Sequence, residues 1–412
     1  MGRKTVKKIF LKRLGLLIGL STATACTGQA DKTANAGISY DNMQTVVVRT
    51  GNTLYPIDEI LDSTEYVRLE TTDDNLIGYI SQIRMADDCI VVIDKQNQAV
   101  FVFDRQGKAL GSIKRTGHGP QEYTGISAVG LTPDGQRIVI ADCWSKKALY
   151  FDRAGRFLYS KPIPDGVSIH EMEFDDNGRI VLSVYPSGGQ NPADTTRPAF
   201  DPHSTLLTAD TSFRIVKGFF PHRWNPAKFH WSNAINLQKN GTGIHFTPTY
   251  SDTVYRVSGA AIEARYHLDM SRVDGWANPP EEITNESFEQ LDKSRATFNG
   301  SFLDTKTHAL FHISSKGNEP SITLLYDKER QKTYSIDLLK SKNPLDSRLM
   351  MSIQRPGSTW GNRVIAEIQS NLLCYGDTPV NRGTIPKKMM EGYSEDSNPV
   401  LMLVTLKSPE QE

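Results

Sequence analysis

The chain has 412 residues, of which 38% are hydrophobic and 23% are charged, with 31 glycines and 21 prolines; this composition excludes collagen-like, low-complexity and multi-span membrane proteins. Its formal net charge is zero, but six basic and no acidic residues lie in the first 25 positions, so the rest of the chain carries −6 (41 basic against 47 acidic residues). A mildly acidic body excludes nucleic acid as a partner, because neutralising phosphates requires an excess of Lys and Arg.

Residues 1–25 are predicted to form a signal peptide. A basic stretch that ends at Arg13 is followed by apolar residues 14–20 and small residues 21–25, which is the order typical of secretion signals. The apolar run is shorter than the roughly 20 residues of a membrane-spanning helix. The small residues before Cys26 resemble the lipobox of bacterial lipoproteins, in which this cysteine carries the lipid. The alternative is ordinary cleavage after Ala25 with an incidental cysteine.

Residues 26–40 are small and polar, and we expect a flexible tether there. Lipid on Cys26 would anchor the chain to a membrane of the bacterial cell envelope, predicted to be the outer membrane, facing the periplasm or the exterior. The three remaining cysteines, Cys89, Cys143 and Cys374, form no Cys-x-x-Cys pair. Their number and spacing indicate unpaired thiols rather than a disulfide framework or a zinc ribbon.

The body from residue 41 to 412 is predicted to be all-β and repetitive. The apolar runs are short and rich in Val, Ile, Phe and Tyr, and are bounded by Asp, Asn and Gly, as in strands. Residues 90–94, 103–104, Gly107 and Leu110 recur 48 positions later as 138–142, 151–152, Gly155 and Leu158. Weaker copies follow towards the C-terminus.

A repeat of 40 to 50 residues with four strands is typical of a propeller blade. We predict six blades near residues 80–115, 126–161, 169–220, 233–270, 296–340 and 360–407. The early strand at residues 66–70 has no blade of its own, so we expect it to complete the last blade and close the ring without an open sheet edge. A pair of β-sandwiches or an open solenoid is the competing architecture.

The loop at residues 115–123 is followed by Ile126 and by an Asp-Gly turn at residues 133–135. This pattern resembles NHL-type propeller repeats, and more closely a family of bacterial lipid-anchored six-bladed propellers that share a Gly-x-Gly-Pro-x-Glu-Tyr loop after the first blade. The resemblance covers residues 64–182 well and implies a TolB-like six-bladed fold and an envelope location, but no particular activity. Glycines 117 and 119 are expected to allow unusual backbone conformations. The loop is interpreted as a rigid connector, although His118 and Glu122 on it could bind a ligand.

The sequence contains no complete catalytic motif. Residues 170–174 begin like a His-Glu-x-x-His motif but lack its second histidine. No cofactor is predicted. A divalent metal at the mouth of the propeller channel is the alternative hypothesis, with His245, His308 and His312 as candidate ligands, against scattered hydrogen-bonded histidines.

The connection between the third and fourth blades, residues 219–231, is rich in aromatic side chains that include Trp224, His230 and Trp231. Exposed aromatic side chains on a loop could bind a sugar or a protein, whereas buried ones would fill the gap between blades. The function predicted from the sequence is therefore non-catalytic binding of a protein or glycan by an envelope lipoprotein. The alternative is a metal-dependent hydrolase or lyase with its site at the channel mouth.

Overall fold

The computed structural model describes residues 37–49, 53–185, 200–201, 203–221, 236–276, 296–315, 321–341, 346, 348–353, 359–374 and 385–410. The regular structure in these ranges is almost entirely β. It forms six antiparallel sheets arranged as the blades of a β-propeller, which confirms the predicted fold class.

Blades 1 to 5 are built from consecutive strands that run from the centre of the ring to its outside, whereas the outermost strand of blade 6 comes from earlier in the chain. Blade 1 consists of β5 (Gln82–Met85), β6 (Cys89–Asp94), β7 (Ala99–Asp104) and β8 (Ala109–Ile113). Blade 2 consists of β9 (Ala128–Leu131), β10 (Arg137–Asp142), β11 (Lys147–Asp152) and β12 (Phe157–Pro162). Blade 3 consists of β13 (Ser168–Phe174), β14 (Ile180–Tyr185), β15 (Ser204–Ala209) and β16 (Ile215–Pro221). Blade 4 consists of β17 (Leu237–Asn240), β18 (Gly243–Phe246), β19 (Thr253–Ser258) and β20 (Ala261–Asp269). Blade 5 consists of β21 (Ala296–Thr297), β22 (Phe302–Asp304), β23 (His308–Ser315), β24 (Ile322–Asp327) and β25 (Lys332–Asp337). Blade 6 consists of β26 (Thr359–Trp360), β27 (Arg363–Ile368), β28 (Val400–Leu406) and β4 (Leu61–Arg68).

The ring is closed by the early strand, as predicted. β4 pairs antiparallel with β28 from Arg68 opposite Val400 to Leu61 opposite Leu406. The outer strand of blade 6 therefore comes from the N-terminal part of the domain and its other strands from the C-terminal part. Because the two parts share one sheet, β28 is paired on its outer side and the ring is closed at the seam by backbone hydrogen bonds.

The segment before β4 follows the outside of the ring. β1 (Ile38–Ser39) and β2 (Gln44–Val47) pair parallel with β20 of blade 4, and β3 (Leu54–Pro56) pairs parallel with β25 of blade 5. The last residues of the predicted tether, 26–40, thus belong to a sheet. Their partner strand lies more than 200 residues away in the sequence, so no local pattern indicates the pairing.

The hydrophobic core is divided among the six interfaces between neighbouring blades. Each of the six clusters of buried apolar residues combines side chains of two adjacent blades. Strands in the middle of a blade are buried on both faces; every residue of β6, for example, is buried. This explains why the sequence shows continuous apolar runs rather than alternation.

The helices described are short: a 3-10 helix (Ile57–Ile60) and α1 (Leu349–Ile353), α2 (Ser370–Cys374) and α3 (Lys387–Met390). In the described ranges, none is long and apolar enough to cross a bilayer.

Strand order defines two faces of the ring. On the upper face, the second strand of a blade joins the third, and the outermost strand joins the innermost strand of the next blade; all other turns lie on the lower face. The lower turns are short, whereas the long gaps between strands, such as those after β14, β16, β20 and β27, begin and end on the upper face. Loops on a rigid scaffold commonly carry specificity, so the upper face is the first place to seek a ligand site.

Candidate functional site

The central channel is lined by polar side chains on the innermost strands. Arg84 and Glu173 form a buried ion pair across the channel, with Nη2 2.9 Å from Oε1. Glu171 accepts a 2.7 Å hydrogen bond from the backbone N–H of Leu237, and Glu173 accepts one from the backbone of Lys239. The motif at residues 170–174 therefore links the inner strands of blades 3 and 4 and is not part of a metal-binding helix.

Burial shifts the protonation of several channel groups. It raises the pKa of Glu171 to about 7, and it lowers the pKa of His170 to about 4, helped by the positive charge of Lys95. Burial also lowers the pKa of Lys95, whose Nζ donates a 2.8 Å hydrogen bond to the carbonyl of Ser127. The channel thus disfavours isolated charge and tolerates paired charge.

We expect Glu171→Gln to flatten the pH dependence of stability. The folded protein holds a proton on Glu171 that the unfolded chain releases above its ordinary pKa of 4.5. This contribution to the free energy of unfolding is complete below pH 4.5 and is lost as the pH rises to about 7. Glutamine cannot ionise but still accepts the Leu237 bond, so the variant should lose less stability over this range, by up to ~1.4 kcal/mol per pH unit.

The measurement is guanidinium unfolding at half-unit pH steps from 4.5 to 8. Glu329→Gln at an exposed position is the control and should follow the wild type. Curves for Glu171→Gln and the wild type that run parallel would contradict the expectation.

An exposed aromatic platform lies on the upper face. The side chain of Trp144 is 87% exposed, on the turn between β10 and β11. Together with His118, Thr124 and Ser145 it lines an open depression of about 520 Å³. A flat ring beside an imidazole and two hydroxyls combines a stacking surface with hydrogen-bonding groups.

The turn that presents Trp144 is held by the buried carboxylate of Asp142. This carboxylate accepts hydrogen bonds from the backbone of Thr124 (2.6 Å), Trp144 (3.1 Å) and Ser145 (3.2 Å). Asp94 occupies the equivalent position in blade 1 and likewise accepts bonds from the neighbouring connection.

The equivalent turn of blade 1 carries Gln96, 48 positions before Trp144. A fold that is built equally well with glutamine does not need the tryptophan for packing. The repeat in the sequence is the signal that distinguishes Trp144, because the same position of the preceding repeat is Gln96.

The connector loop at residues 115–123 is held by hydrogen bonds within the loop and by one to the β6–β7 turn of blade 1. Glu122 accepts a 2.9 Å hydrogen bond from the Gly119 N–H, and the buried hydroxyl of Tyr123 donates a 2.6 Å bond to the Gln98 carbonyl. Neither glycine has positive φ, contrary to expectation. A Cβ at Gly117 would lie 2.1 Å from the Glu122 carboxylate, so a larger residue there would displace the Glu122 side chain from its present position. Glu122 therefore stabilises the loop, while His118 is exposed beside Trp144.

The three candidate metal ligands lie in separate environments. His245 is fully buried, 3.5 Å from Asp304 and edge-on to Phe302, and burial lowers its pKa to about 4. His312 Nδ1 lies 2.9 Å from the Thr323 hydroxyl. Across the residues the structure covers, no three His, Cys, Asp or Glu side chains are grouped to hold a metal ion. The metal hypothesis thus gains no support from these histidines.

His308 is near a serine and an aspartate, but the arrangement is not a catalytic triad. Its Nε2 lies 3.2 Å from the Ser408 hydroxyl, and that hydroxyl donates a 2.5 Å bond to Asp327. The other ring nitrogen faces Thr307 at 2.9 Å. In a catalytic triad the carboxylate orients the histidine, whereas here the Asp327 carboxylate binds the serine.

Four predicted sites lie outside the described residues: the lipidation site Cys26 and the aromatic residues Trp224, His230 and Trp231. Of the connection that carries the last three, the structure describes Phe219 and Phe220, which are buried between blades 3 and 4. Among the cysteines covered by the structure, Cys89 is buried, Cys143 is half-buried and Cys374 is exposed, and all three are free.

Fold and site together define a six-bladed β-propeller with a polar channel and a loop-bearing upper face. The chain belongs to the family defined by a domain of unknown function, DUF4934, which matches residues 45–405. The match therefore covers nearly all of the ring, together with β3 and most of β2, but not β1.

One solved structure supports the same architecture, and a second shows a weaker likeness. A Bacteroides fragilis protein named as exported is 18% identical, with a TM-score of 0.64, over 89% of this chain and 100% of its own. A member of the DUF4221 family from Bacteroides vulgatus is 11% identical, with a TM-score of 0.47, over 84% of this chain and 97% of its own. The first likeness shows the fold. No protein of curated function matches the sequence significantly.

Proposed function

We propose that the protein is an exported, lipid-anchored binding protein of the bacterial cell envelope that holds a glycan on the upper face of its propeller. The observation that carries this proposal is the Trp144 side chain, 87% exposed on a rigid turn beside His118, Thr124 and Ser145. The turn that carries this ring is fixed by the buried Asp142 carboxylate, so the indole can stack on a ligand with little ordering cost.

The surroundings of Trp144 favour a glycan over a protein partner. Protein hot spots are surrounded by further contacts that exclude water, whereas the other three side chains lining this depression are polar. Sugars present apolar ring faces and outward hydroxyls, which match an indole with nearby hydroxyls and an imidazole. No carboxylate belongs to the four lining residues, so this depression is suited to binding rather than to acid–base hydrolysis.

The envelope location is proposed from the signal-like N-terminus, Cys26 and the exported Bacteroides fragilis protein of similar fold. Lipid on Cys26 would anchor the propeller at the outer membrane. Labelling of cells with an alkyne fatty acid tests the anchor, and label that persists on Cys26→Ser would contradict it.

Binding of glycans by the purified full-length chain tests the function. We expect at least one immobilised neutral oligosaccharide of glucose, galactose, mannose or N-acetylglucosamine to bind. Trp144→Gln, which installs the residue of blade 1, should weaken that binding at least tenfold, since a stacked tryptophan commonly contributes ~2 kcal/mol or more.

The melting temperature of Trp144→Gln should equal that of the wild type, because the ring packs against little of the fold. Gln96→Ala, at the equivalent turn of blade 1, is the matched control and should bind as the wild type does. Failure of every oligosaccharide to bind, or equal affinity of Trp144→Gln and wild type, would overturn the proposal.

A further inference from the structure

A second cavity lies on the lower face, at the opposite end of the channel from Trp144. Its volume is about 290 Å³, slightly below the ~300–1,000 Å³ of drug-sized pockets. Its lining comes from the lower turns and inner strands of blades 1, 2, 3, 4 and 6. The cavity is independent of the proposed glycan platform.

The floor of this cavity offers hydrogen-bond donors. Arg84 and Asn240 are each 4% exposed, and Arg84 Nε and Asn240 Nδ2 have no partner among the described residues. Glu173 lies on the same floor, where its Oε1 is paired in charge with Arg84 Nη2 at 2.9 Å but accepts no hydrogen bond from the described residues, and Asn240 Oδ1 accepts a 3.0 Å bond from the Thr359 hydroxyl. Buried donors without an acceptor cost about 1–3 kcal/mol each, so two of them in one small cavity point to a bound acceptor.

The rim of the cavity is acidic. Asp87 and Asp134 lie exposed on the lower turns of blades 1 and 2 and line the opening. Asp88, also on the rim, differs because Arg153 neutralises it through two 2.6 Å hydrogen bonds. The Lys239 Nζ donates a 3.2 Å hydrogen bond to the Phe174 carbonyl. Negative charge at the opening therefore faces donors at the floor.

We propose that this cavity binds a small zwitterion, an α-amino acid, with its carboxylate on Arg84 Nε and Asn240 Nδ2 and its ammonium group near Asp87 and Asp134. A metal cation would leave the floor donors without an acceptor, and an inorganic anion would be repelled by the rim. Apolar and aromatic groups of Leu131, Met85 and Trp360 complete the walls and can contact a side chain. A zwitterion supplies an acceptor for the floor donors and a positive charge for the acidic rim.

Calorimetric titration of the full chain with each of the twenty α-amino acids tests the proposal. We expect at least one to bind, and its two singly charged analogues, which lack either the carboxylate or the ammonium group, to bind at least tenfold more weakly. Asn240→Asp keeps the acceptor for Thr359 but replaces the floor donor with negative charge. Asp87→Asn removes charge at the exposed rim. Each should weaken binding tenfold or more.

Asp165→Asn, at an exposed aspartate on the upper face, is the matched control. Trp144→Gln should bind the amino acid normally, which separates this site from the glycan platform. If Asn240→Asp does not fold, Asp87→Asn decides. The proposal would be overturned by no binding of any amino acid, by equal affinity for a singly charged analogue, or by unchanged affinity of Asp87→Asn.

Discussion

Replacing Gly155 by alanine should lower the free energy of unfolding by about 3 kcal/mol. Gly155 has φ +78° at the turn before the outer strand of blade 2, and a Cβ there would lie 2.1 Å from the Ser112 carbonyl oxygen in blade 1. An alanine with positive φ costs ~1–2 kcal/mol, and forcing atoms into a packed contact costs a further ~1–3 kcal/mol. The obstacle is backbone of the neighbouring blade, so it cannot move aside as a side chain could.

Gly178→Ala separates the two causes. Gly178 has nearly the same φ, +79°, but its nearest neighbour would be a methyl carbon of Thr211 at 3.9 Å. We expect a loss of only about 1 kcal/mol, from the backbone conformation alone. Guanidinium unfolding of both variants measures the difference, and equal losses would refute contact between blades as the cause. Gly107→Ala should behave like Gly155→Ala, because its Cβ would lie 2.1 Å from the Arg68 carbonyl.

Asn398→Ala should destabilise the closure of the ring by about 3–5 kcal/mol. The Asn398 side chain is fully buried beside the start of β28. Its Oδ1 accepts a 2.8 Å bond from the Ile77 N–H, and its Nδ2 donates bonds to the carbonyls of Glu70 (2.7 Å) and Asn75 (3.0 Å). Alanine leaves these three backbone groups without their partner, at ~1–3 kcal/mol for each group that water cannot reach.

Hydrogen exchange locates the effect of Asn398→Ala. Amides of β4 and β28 should lose protection before those of blade 3, because Asn398 joins the last blade to the connection that leads into blade 1. Asn42→Ala is the control: the exposed Asn42 also makes a side-chain bond, of 2.9 Å to Glu263, yet its loss should cost under ~1 kcal/mol. If Asn398→Ala lowered the free energy of unfolding as little as Asn42→Ala does, the hydrogen bonds of Asn398 would not be what stabilises the closed ring.

Much of the fold was predictable because it repeats. The 48-residue offset between blades 1 and 2 reflects identical local demands: apolar strands buried on both faces, an aspartate that binds the turns, and a glycine beside the preceding blade. Closure by β4 was also predictable. The sequence has one early strand that belongs to no blade, and the last blade lacks its outer strand, so the first can complete the second. The outer strands β1 to β3 were not, because pairing across 200 residues leaves no periodic signal.

The candidate sites were predictable only in part. His118 was identified and lies on the upper-face depression, but Trp144 and the channel residues Arg84, Glu173 and Asn240 were not singled out. These three channel residues lie on three different strands, in blades 1, 3 and 4, and each alone looks like an ordinary strand residue. His245 illustrates the opposite case: a histidine in a strand suggests a ligand, yet its position between blades 4 and 5 makes it part of the core.

By itself, the sequence determined the blade repeat, the number of blades and the strand that closes the ring, because these follow from local hydrophobic patterns and turn residues. It also predicts an export signal at the N-terminus. Only the tertiary structure decided which polar groups meet. Closing six sheets into a ring brings residues from distant blades into one channel and leaves Trp144 in solvent beside His118. Such convergence depends on the angles between blades, which are set by packing at their interfaces and not by the order of residues along any one strand.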